Sequence, residues 1–190
     1  AQQLNVDTIS NNMANVNSVA YKKSRVEFKD LLYDTLERGM VRDGQGKPVN
    51  LQVGHGVMPA ASVKFFTTGS LASTENPYDV AIEGLGFFKV LGPEGQEYYT
   101  KDGAFKISPD GENFNLVTSE GYYVQGENGN IELGSDIKDI IIDARGLITV
   151  KREDGTIEEL GSLSISTFVN PAGLESVGKN LYVATVASGE

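Results

Sequence analysis

From about residue 62 onward, short apolar runs alternate with turn-forming sequences, and this alternation constrains the fold more than any other feature. Four of the turns, SPDGEN, ENGN, DARG and EDGT, combine glycine with Asp or Asn, as hairpin connections typically do. Many short strands at close spacing predict an antiparallel arrangement rather than alternating βαβ units. We therefore predict a mainly β fold: an irregular, many-stranded antiparallel domain, barrel-like or sandwich-like, with an N-terminal α-helical segment. The predicted strands are 62–67, 79–83, 86–91, 97–101, 104–108, 114–117, 122–125, 139–142, 147–151, 157–159, 162–169 and 181–186.

The N-terminal residues 4–16 follow a helical pattern instead. Their apolar residues are spaced three, four and three apart, which is typical of a seam that packs on a partner helix. They are Val6, Ile9, Met13 and Val16. This stripe either packs on its own domain or meets a helix from outside this chain. Because no strong second helix follows in the sequence, we favour a mate on another chain or beyond residue 190.

A second helical pattern is predicted after an extended stretch at 18–21. One face of this helix would contain Phe28, Leu31, Leu32, Thr35 and Leu36, and Gly39 would end it. Residues 40–60 are rich in glycine and proline, which indicates an irregular or extended connection with one candidate strand at 49–53.

Composition excludes several classes of protein. The chain has 190 residues and a formal net charge of −10, whereas a general nucleic-acid binder is usually basic. It contains no cysteine, so thiol catalysis, thiolate zinc sites and disulfides are excluded. Without an apolar run of about 18 residues, we predict no membrane insertion.

The sequence gives only weak signals for catalytic or ligand-binding residues. His55 is the only histidine and lies between two glycines, so a loop role is favoured over catalysis. Aspartates in turns bind calcium in some loops, but here we expect them to accept hydrogen bonds from their own backbone. A pair of catalytic carboxylates stays open, since the fold rather than the sequence sets such pairs. We predict no catalytic, cofactor-binding or metal-binding residues.

The N-terminal stretch also contains four closely spaced asparagines, followed by a basic patch. Residues 3–36 closely resemble the N-terminal signature of the flagellar rod and hook axial proteins. Ala20 departs from the family, which usually has glycine there. The matching residues are Asn11, Asn12, Met13, Ala14, Asn15, Val16, Asn17, Ser18, Tyr21 and Lys22.

Further blocks resemble the distal rod members of this family, in the same order and with matching spacing. The resemblance covers essentially the whole chain. The blocks are VGHGV (53–57), NPYDVAIEGLGFFKV (76–90), YTKDGAFKIS (99–108), GYYV (121–124) and FVNPAGLESVGKNLYVATVASG (168–189).

The resemblance implies a division into four parts. Residues 1–36 would form a helical rod-core segment, 37–62 an extended rod-specific linker, and 63–187 a β-rich outer domain. Residues 188–190 would begin the return toward a C-terminal helix that is absent from this chain. The core helix would pack with that C-terminal helix inside a tubular filament.

The resemblance also implies a structural, non-enzymatic role without cofactors. Expected partners are other copies in a helical homo-oligomer, other rod and hook proteins, and the surrounding ring proteins. The expected location is the rod crossing the periplasm, after export by the flagellar type III apparatus. Candidate interface residues are Val6, Ile9, Asn11, Asn12, Met13, Asn15, Val16, Asn17, Tyr21, Lys22, Phe28, Leu31 and Leu32.

Two alternatives stay open at this stage. Within the family, the chain resembles a proximal rod or hook protein less closely. Outside it, an extracellular carbohydrate-binding module or enzyme with a helical appendage would need a pocket with convergent polar groups. The asparagines have two interpretations as well: they cap the helix end locally, or they bridge to the next subunit.

Overall fold

The computed structural model describes residues 1–31, 33–37 and 51–189. The predicted Leu32, the helix end at Gly39 and much of the predicted linker lie outside these residues. The prediction of a mainly β protein with an N-terminal helix is confirmed. Helix α1 spans Gln2–Ala14 and ends at Asn15, where φ is −103° and ψ is 15°.

The second predicted helix is wrong, because β strands occupy that region. Strands β1 (Ser24–Asp30) and β2 (Tyr33–Glu37) follow α1, and β3 (Leu51–Gly54) and β4 (Val57–Lys64) come next. In β1, half-buried and exposed side chains alternate with the period of two that a strand requires. Antiparallel pairing of β1 with β4, and of β2 with β3, satisfies backbone groups that a helix would have bonded locally.

A ten-stranded antiparallel sheet dominates the rest of the chain. Its central order is β11-β8-β9-β5-β6-β17-β16, with β7 paired to β8, β10 to β9 and β15 to β5. The members are β5 (Phe87–Leu91), β6 (Glu97–Thr100), β7 (Phe105–Asp110), β8 (Asn113–Thr118), β9 (Tyr123–Gly126), β10 (Gly129–Asn130), β11 (Glu132–Gly134), β15 (Ile165–Ser166), β16 (Glu175–Gly178) and β17 (Leu181–Val183).

A separate three-stranded antiparallel sheet is formed by β12 (Ile137–Ile142), β13 (Leu147–Arg152) and β14 (Ile157–Ser162). The predicted DARG and EDGT turns connect these strands. Arg152 ties the sheet to β11, because its Nη1 donates to the carbonyl oxygen of Leu133 at 2.9 Å. Its Nη2 also lies 2.5 Å from Oε2 of Glu158 on the neighbouring strand β14.

The ten-stranded sheet contributes to a hydrophobic cluster on each of its faces. Consecutive side chains of a strand point to opposite faces, so Phe87 and Phe88 enter different clusters. Phe88 joins the larger cluster, which includes Phe105 and also receives residues of the three-stranded sheet. Phe87 joins the smaller aromatic cluster with Tyr99, Phe168, Leu174 and Tyr182.

Most predicted strands are confirmed to within a few residues, with two main exceptions. Residues 79–83 form only an isolated bridge between Asp79 and Ala104. The predicted strand 162–169 is reduced to β15, and a 3-10 helix at Pro171–Gly173 follows. The sequence reasoning also missed β16, whose four residues are all exposed.

The chain forms two compact units. The first contains Ala1–Asn17 and Lys23–Phe65, and the second contains Ser18–Lys22 and Phe66–Glu190. The short segment 18–22 therefore belongs to the β-rich second unit, although helix α1 precedes it and β1 follows it.

Candidate subunit interface

The predicted apolar stripe lies at the surface, with Val6, Ile9 and Met13 on α1 and Val16 in the turn that follows it. Its four members are largely exposed: Val6 by 56%, Ile9 by 52%, Met13 by 71% and Val16 by 73%. No residue of α1 is buried. The described chain therefore leaves the predicted packing seam uncovered. Its use as a contact between subunits stays a prediction.

Asn12 attaches α1 to strand β1. Its Nδ2 donates to the carbonyl oxygen of Ser24 at 2.8 Å, and its Oδ1 accepts from the amide of Ser24 at 3.0 Å. A side-chain amide has both a donor and an acceptor, so it can bond both backbone groups of one residue. Alanine or aspartate could not make this pair of bonds, which explains why an amide is present at this position.

Asn15 closes the end of α1, as the local interpretation of the asparagines predicted. Its backbone amide donates to the carbonyl oxygen of Asn11 at 3.2 Å, and its Nδ2 donates to the same oxygen at 2.9 Å. Two donors of Asn15 thus share one carbonyl of the last turn, so its backbone and its side chain both bond the end of the helix. Asn17 is exposed in the following turn. A bridging role between subunits stays untested for all four asparagines.

The segment 18–22 turns sharply at Ala20, whose φ is +58°. This left-handed conformation is costly for a residue with a Cβ atom and suits glycine. The residue before Ala20 is held from a distant part of the chain, since Nδ2 of Asn180 donates to the carbonyl oxygen of Val19 at 3.1 Å. Asn180 lies in a two-residue turn with Lys179, and both have positive φ, as type I′ hairpins require.

Tyr21 and Lys22 belong to the second unit, and both are half-buried. The backbone amide of Tyr21 donates to the carbonyl oxygen of Ser18 at 3.3 Å. Nζ of Lys22 donates to the carbonyl oxygen of Thr67 at 3.0 Å. Burial lowers the pKa of Lys22. Both residues therefore make contacts within the chain. A contact with a neighbouring subunit stays a prediction for them.

Phe28 and Leu31, the other candidates among the described residues, are half-buried. Phe28 lies in β1 beside the bulge that separates it from Glu27 in the register with β4. The backbone amide of Leu31 donates to the carbonyl oxygen of Gly56 at 3.0 Å. The candidates therefore do not form one continuous site. They lie in an exposed apolar stripe, at a hydrogen-bonded helix end and around a partly buried strand.

The turn aspartates bond their own backbone, as expected. Oδ1 of Asp143 accepts from the amides of Arg145 and Leu147 at 2.8 and 2.9 Å, and Oδ1 of Asp154 accepts from the amide of Thr156 at 2.8 Å. The bond from Leu147 is the main reason that the pKa of Asp143 is lowered. The side-chain hydroxyl of Thr156 is the main reason for the lowered pKa of Asp154.

Asp110 is different, because its carboxylate receives side-chain donors. Its Oδ2 accepts from Nδ2 of Asn115 and from the hydroxyl of Tyr123, each at 3.3 Å. The negative charge of Asp110 is the main reason that the pKa of Tyr123 is raised.

A shallow groove of about 400 Å³ lies beside the turn between β9 and β10. Its polar side chains include Glu127, Asn128, Asn130 and Glu132, and no aromatic ring lines it. The carbohydrate-binding alternative calls for an apolar or aromatic surface beside convergent polar groups. Ile131 and Leu160 give the groove a small apolar part, but it has no aromatic ring on which a sugar would stack.

The described ranges contain neither a metal-binding cluster nor a helix that could span a membrane. No group of three or more His, Cys, Asp or Glu residues is placed to hold a metal ion there. The helical structure in those ranges is too short and too polar to cross a bilayer. His55 is exposed.

The sequence reasoning missed residues that become neighbours only in the fold. Asn180 holds Val19 from 161 positions along the chain. Burial lowers the pKa of Lys101, and the positive charge of Lys22 lowers it further. Neither pair has a local sequence pattern, although Lys179-Asn180 could have been recognised as a hairpin turn.

Comparison with known proteins supports the resemblance noted in the sequence. The family model for the flagellar hook protein FlgE/F/G D1 domain matches residues 81–150. The flagellar basal-body rod protein FlgG of Borreliella burgdorferi is 44% identical, with all of this chain and 71% of that protein aligned. The protein of the same name from Caulobacter vibrioides is 39% identical over the same shares. That from Bacillus subtilis is 34% identical over 98% of this chain and 70% of its own length.

Proposed function

This chain belongs to the family of flagellar basal-body rod proteins FlgG, and from that membership we propose that it is a structural axial subunit of the flagellar basal body. In this proposal, copies assemble helically into the distal rod, which transmits torque from the motor to the hook. The subunit makes or breaks no covalent bond.

The exposed stripe of α1 is the observation that carries the proposal of assembly. An isolated helix of about 12–15 residues is marginal in water, and most helices in proteins are stabilised by packing an apolar face. The stripe at Val6, Ile9, Met13 and Val16 offers such a face but is largely exposed. A filament in which neighbouring helices cover this face would provide the missing packing.

Assembly of this kind needs contacts between unlike surfaces. When one patch binds a different patch on the next copy and the rotation does not close, a helical filament results. Contacts with other rod and hook proteins and with the surrounding rings belong to the same proposal. So do the periplasmic location and export by the flagellar type III apparatus, which rest on family membership alone.

A genetic experiment in the native host tests this function. We expect deletion of the gene to abolish swimming and to leave basal bodies without a complete rod and hook in electron micrographs. Basal bodies that keep the proximal rod but lack the distal rod would show that the protein belongs to the distal rod. Normal rods and normal swimming would contradict the proposal.

A matched pair of helix variants tests the stripe itself. Ile9→Lys places a charge within the apolar stripe, and we expect it to prevent complementation of the deletion. Gln3→Lys adds the same charge on another face of α1, where it can still pair with Asp7, the present partner of Gln3 at 2.9 Å. Equal motility of the two variants would show that the stripe is not an assembly surface.

A further inference from the structure

The turn between β9 and β10 contains an asparagine followed directly by a glycine. Glu127 and Asn128 form this two-residue turn, and Gly129 begins β10 opposite Gly126. Asn128 is the only asparagine of the sequence that precedes a glycine. Because glycine has no Cβ atom, its backbone nitrogen can approach the preceding side chain with less steric hindrance than that of any other residue.

The turn leaves both residues accessible. The side chain of Asn128 is exposed, and no described residue forms a hydrogen bond with it. A Cβ atom placed on Gly129 would meet no heavy atom within 4 Å, so the space around this residue is open. Strand β10 has only two residues, Gly129 and Asn130, and so short a pairing can open locally without unfolding the sheet.

The turn itself requires the glycine. Gly129 has a φ of +112°, which residues with a Cβ atom rarely adopt. The fold therefore keeps an unhindered backbone nitrogen next to the exposed carboxamide of Asn128.

Two nearby asparagines lack this combination. Asn115 is buried and precedes Leu116. Asn130 precedes the β-branched Ile131, and its Oδ1 accepts from Nε2 of Gln125 at 2.5 Å. Their carboxamides are thus either shielded or held, and a larger residue follows each of them.

We propose that Asn128 is a site of spontaneous deamidation in the folded protein. The backbone nitrogen of Gly129 gives its proton to solvent hydroxide and forms a bond to Cγ of Asn128. The bond from Cγ to Nδ2 breaks, and Nδ2 takes a proton from water and leaves as ammonia. Water then opens the cyclic imide. Attack at Cγ gives an aspartyl residue, whereas attack at the main-chain carbonyl gives an isoaspartyl residue.

The modification changes both the charge and the geometry of the turn. Asn128 lines the shallow groove together with Glu127 and Glu132, so a new carboxylate joins two acidic residues there. An isoaspartyl residue also lengthens the main chain by a methylene group. Since the length of a hairpin turn fixes the register of its strands, this form cannot keep Gly129 opposite Gly126 without distortion. The inference does not depend on the proposed function, because the chemistry needs only this turn.

Incubation of the folded wild-type protein in H₂¹⁸O at mildly alkaline pH tests the site. Digestion follows in ordinary water, so only molecules that reacted while folded carry the label. Trypsin releases residues 107–138 as one peptide, in which Asn113, Asn115 and Asn130 are internal controls. We expect fragment mass spectra to show loss of the amide and gain of ¹⁸O at Asn128, while the three controls keep their amides.

Two results of this incubation would overturn the proposal. The first is that Asn128 keeps its amide as completely as Asn130 does. The second is that the label enters Asn128 only when the chain is unfolded in urea, because the folded turn would then protect the side chain.

Two variants separate the chemistry from its effect on the turn. Asn128→Gln keeps an exposed amide but would need a larger ring, so we expect no loss of ammonia at this position, and a loss equal to that of the wild type would contradict the mechanism. Asn128→Asp has the added charge without the isoaspartyl linkage. In the isoaspartyl fraction of aged wild type, we expect the amide of Ile131, which donates to the carbonyl oxygen of Val124 at 3.4 Å, to lose protection from hydrogen exchange. Equal protection of Ile131 in this fraction and in Asn128→Asp would overturn the expected effect on the turn.

Discussion

Helix α1 and the ten-stranded sheet differ in the burial of their apolar side chains. In the sheet, Phe87 and Phe105 are fully buried. In α1 the apolar stripe is exposed, and the bonds from Asn12 to Ser24 attach the helix instead. The sheet therefore completes its core within the chain, whereas the helix is attached by polar bonds and leaves its apolar stripe exposed. The proposed function assigns this exposed stripe to assembly, so stability and assembly would depend on different regions.

The largest expected effect comes from truncating the aromatic cluster of the second unit. The ring of Phe87 lies 5.3 Å from that of Phe66 and 5.5 Å from that of Phe168. We expect Phe87→Ala to lower the free energy of unfolding of this unit by about 3–5 kcal/mol, as large cavities in cores do. Urea denaturation followed by near-ultraviolet circular dichroism of the tyrosines measures this change.

The same truncation on the helix provides the contrast. We expect Ile9→Ala to change the free energy of unfolding by less than about 0.5 kcal/mol, since the side chain is already exposed. A loss at Ile9 as large as that at Phe87 would mean that the stripe packs within the chain. The difference between the two regions would then disappear.

A smaller effect is expected from removing the attachment of α1. Asn12→Ala deletes both bonds to Ser24, and we expect it to weaken the docking of α1 on β1 by about 1–2 kcal/mol. Hydrogen exchange of the α1 amides should accelerate, while exchange in the ten-stranded sheet should not change. Asn5→Ala, at an exposed position of the same helix, controls for the better helix propensity of alanine. Equal protection in both variants would show that the Asn12 bonds do not hold the helix.

The sequence predicted what local patterns determine. The period of α1, the short strands and the Asx turns at Asp143 and Asp154 follow from neighbouring residues, and the structure contains all of them. Strand β1 could not be predicted in this way, because its conformation depends on pairing with β4, some thirty residues later. The same holds for the bond from Asn180 to Val19, two residues that only the tertiary fold brings together.

Ala20 offers a test of the segment that enters the second unit after α1. A non-glycine residue at φ +58° costs about 1–2 kcal/mol, and the extra freedom of glycine in the unfolded chain returns about 0.5–1 kcal/mol of that. We expect Ala20→Gly to stabilise the second unit by roughly 0.5–1 kcal/mol, measured by thermal unfolding. Ala81→Gly, at an exposed residue outside the positive-φ set, should destabilise it slightly. Destabilisation by Ala20→Gly would mean that the Ala20 side chain makes a contact that outweighs its strain.

The smallest effect concerns pH and the turn at Asp143. Backbone amides of Leu147 and Arg145 hold the pKa of its carboxyl below the ordinary value of 3.8. The folded state therefore binds this proton less readily than the unfolded state, so the contribution is fully present above pH 3.8 and is lost as the pH falls through the lower, folded pKa. Asn at this position can still accept the two turn bonds but does not titrate. We expect Asp143→Asn to reduce the loss of stability in that acid range and to leave the melting temperature at neutral pH nearly unchanged. If the melting temperature of both proteins falls equally with decreasing pH, Asp143 contributes nothing to the pH dependence of stability, although its carboxylate accepts two backbone hydrogen bonds.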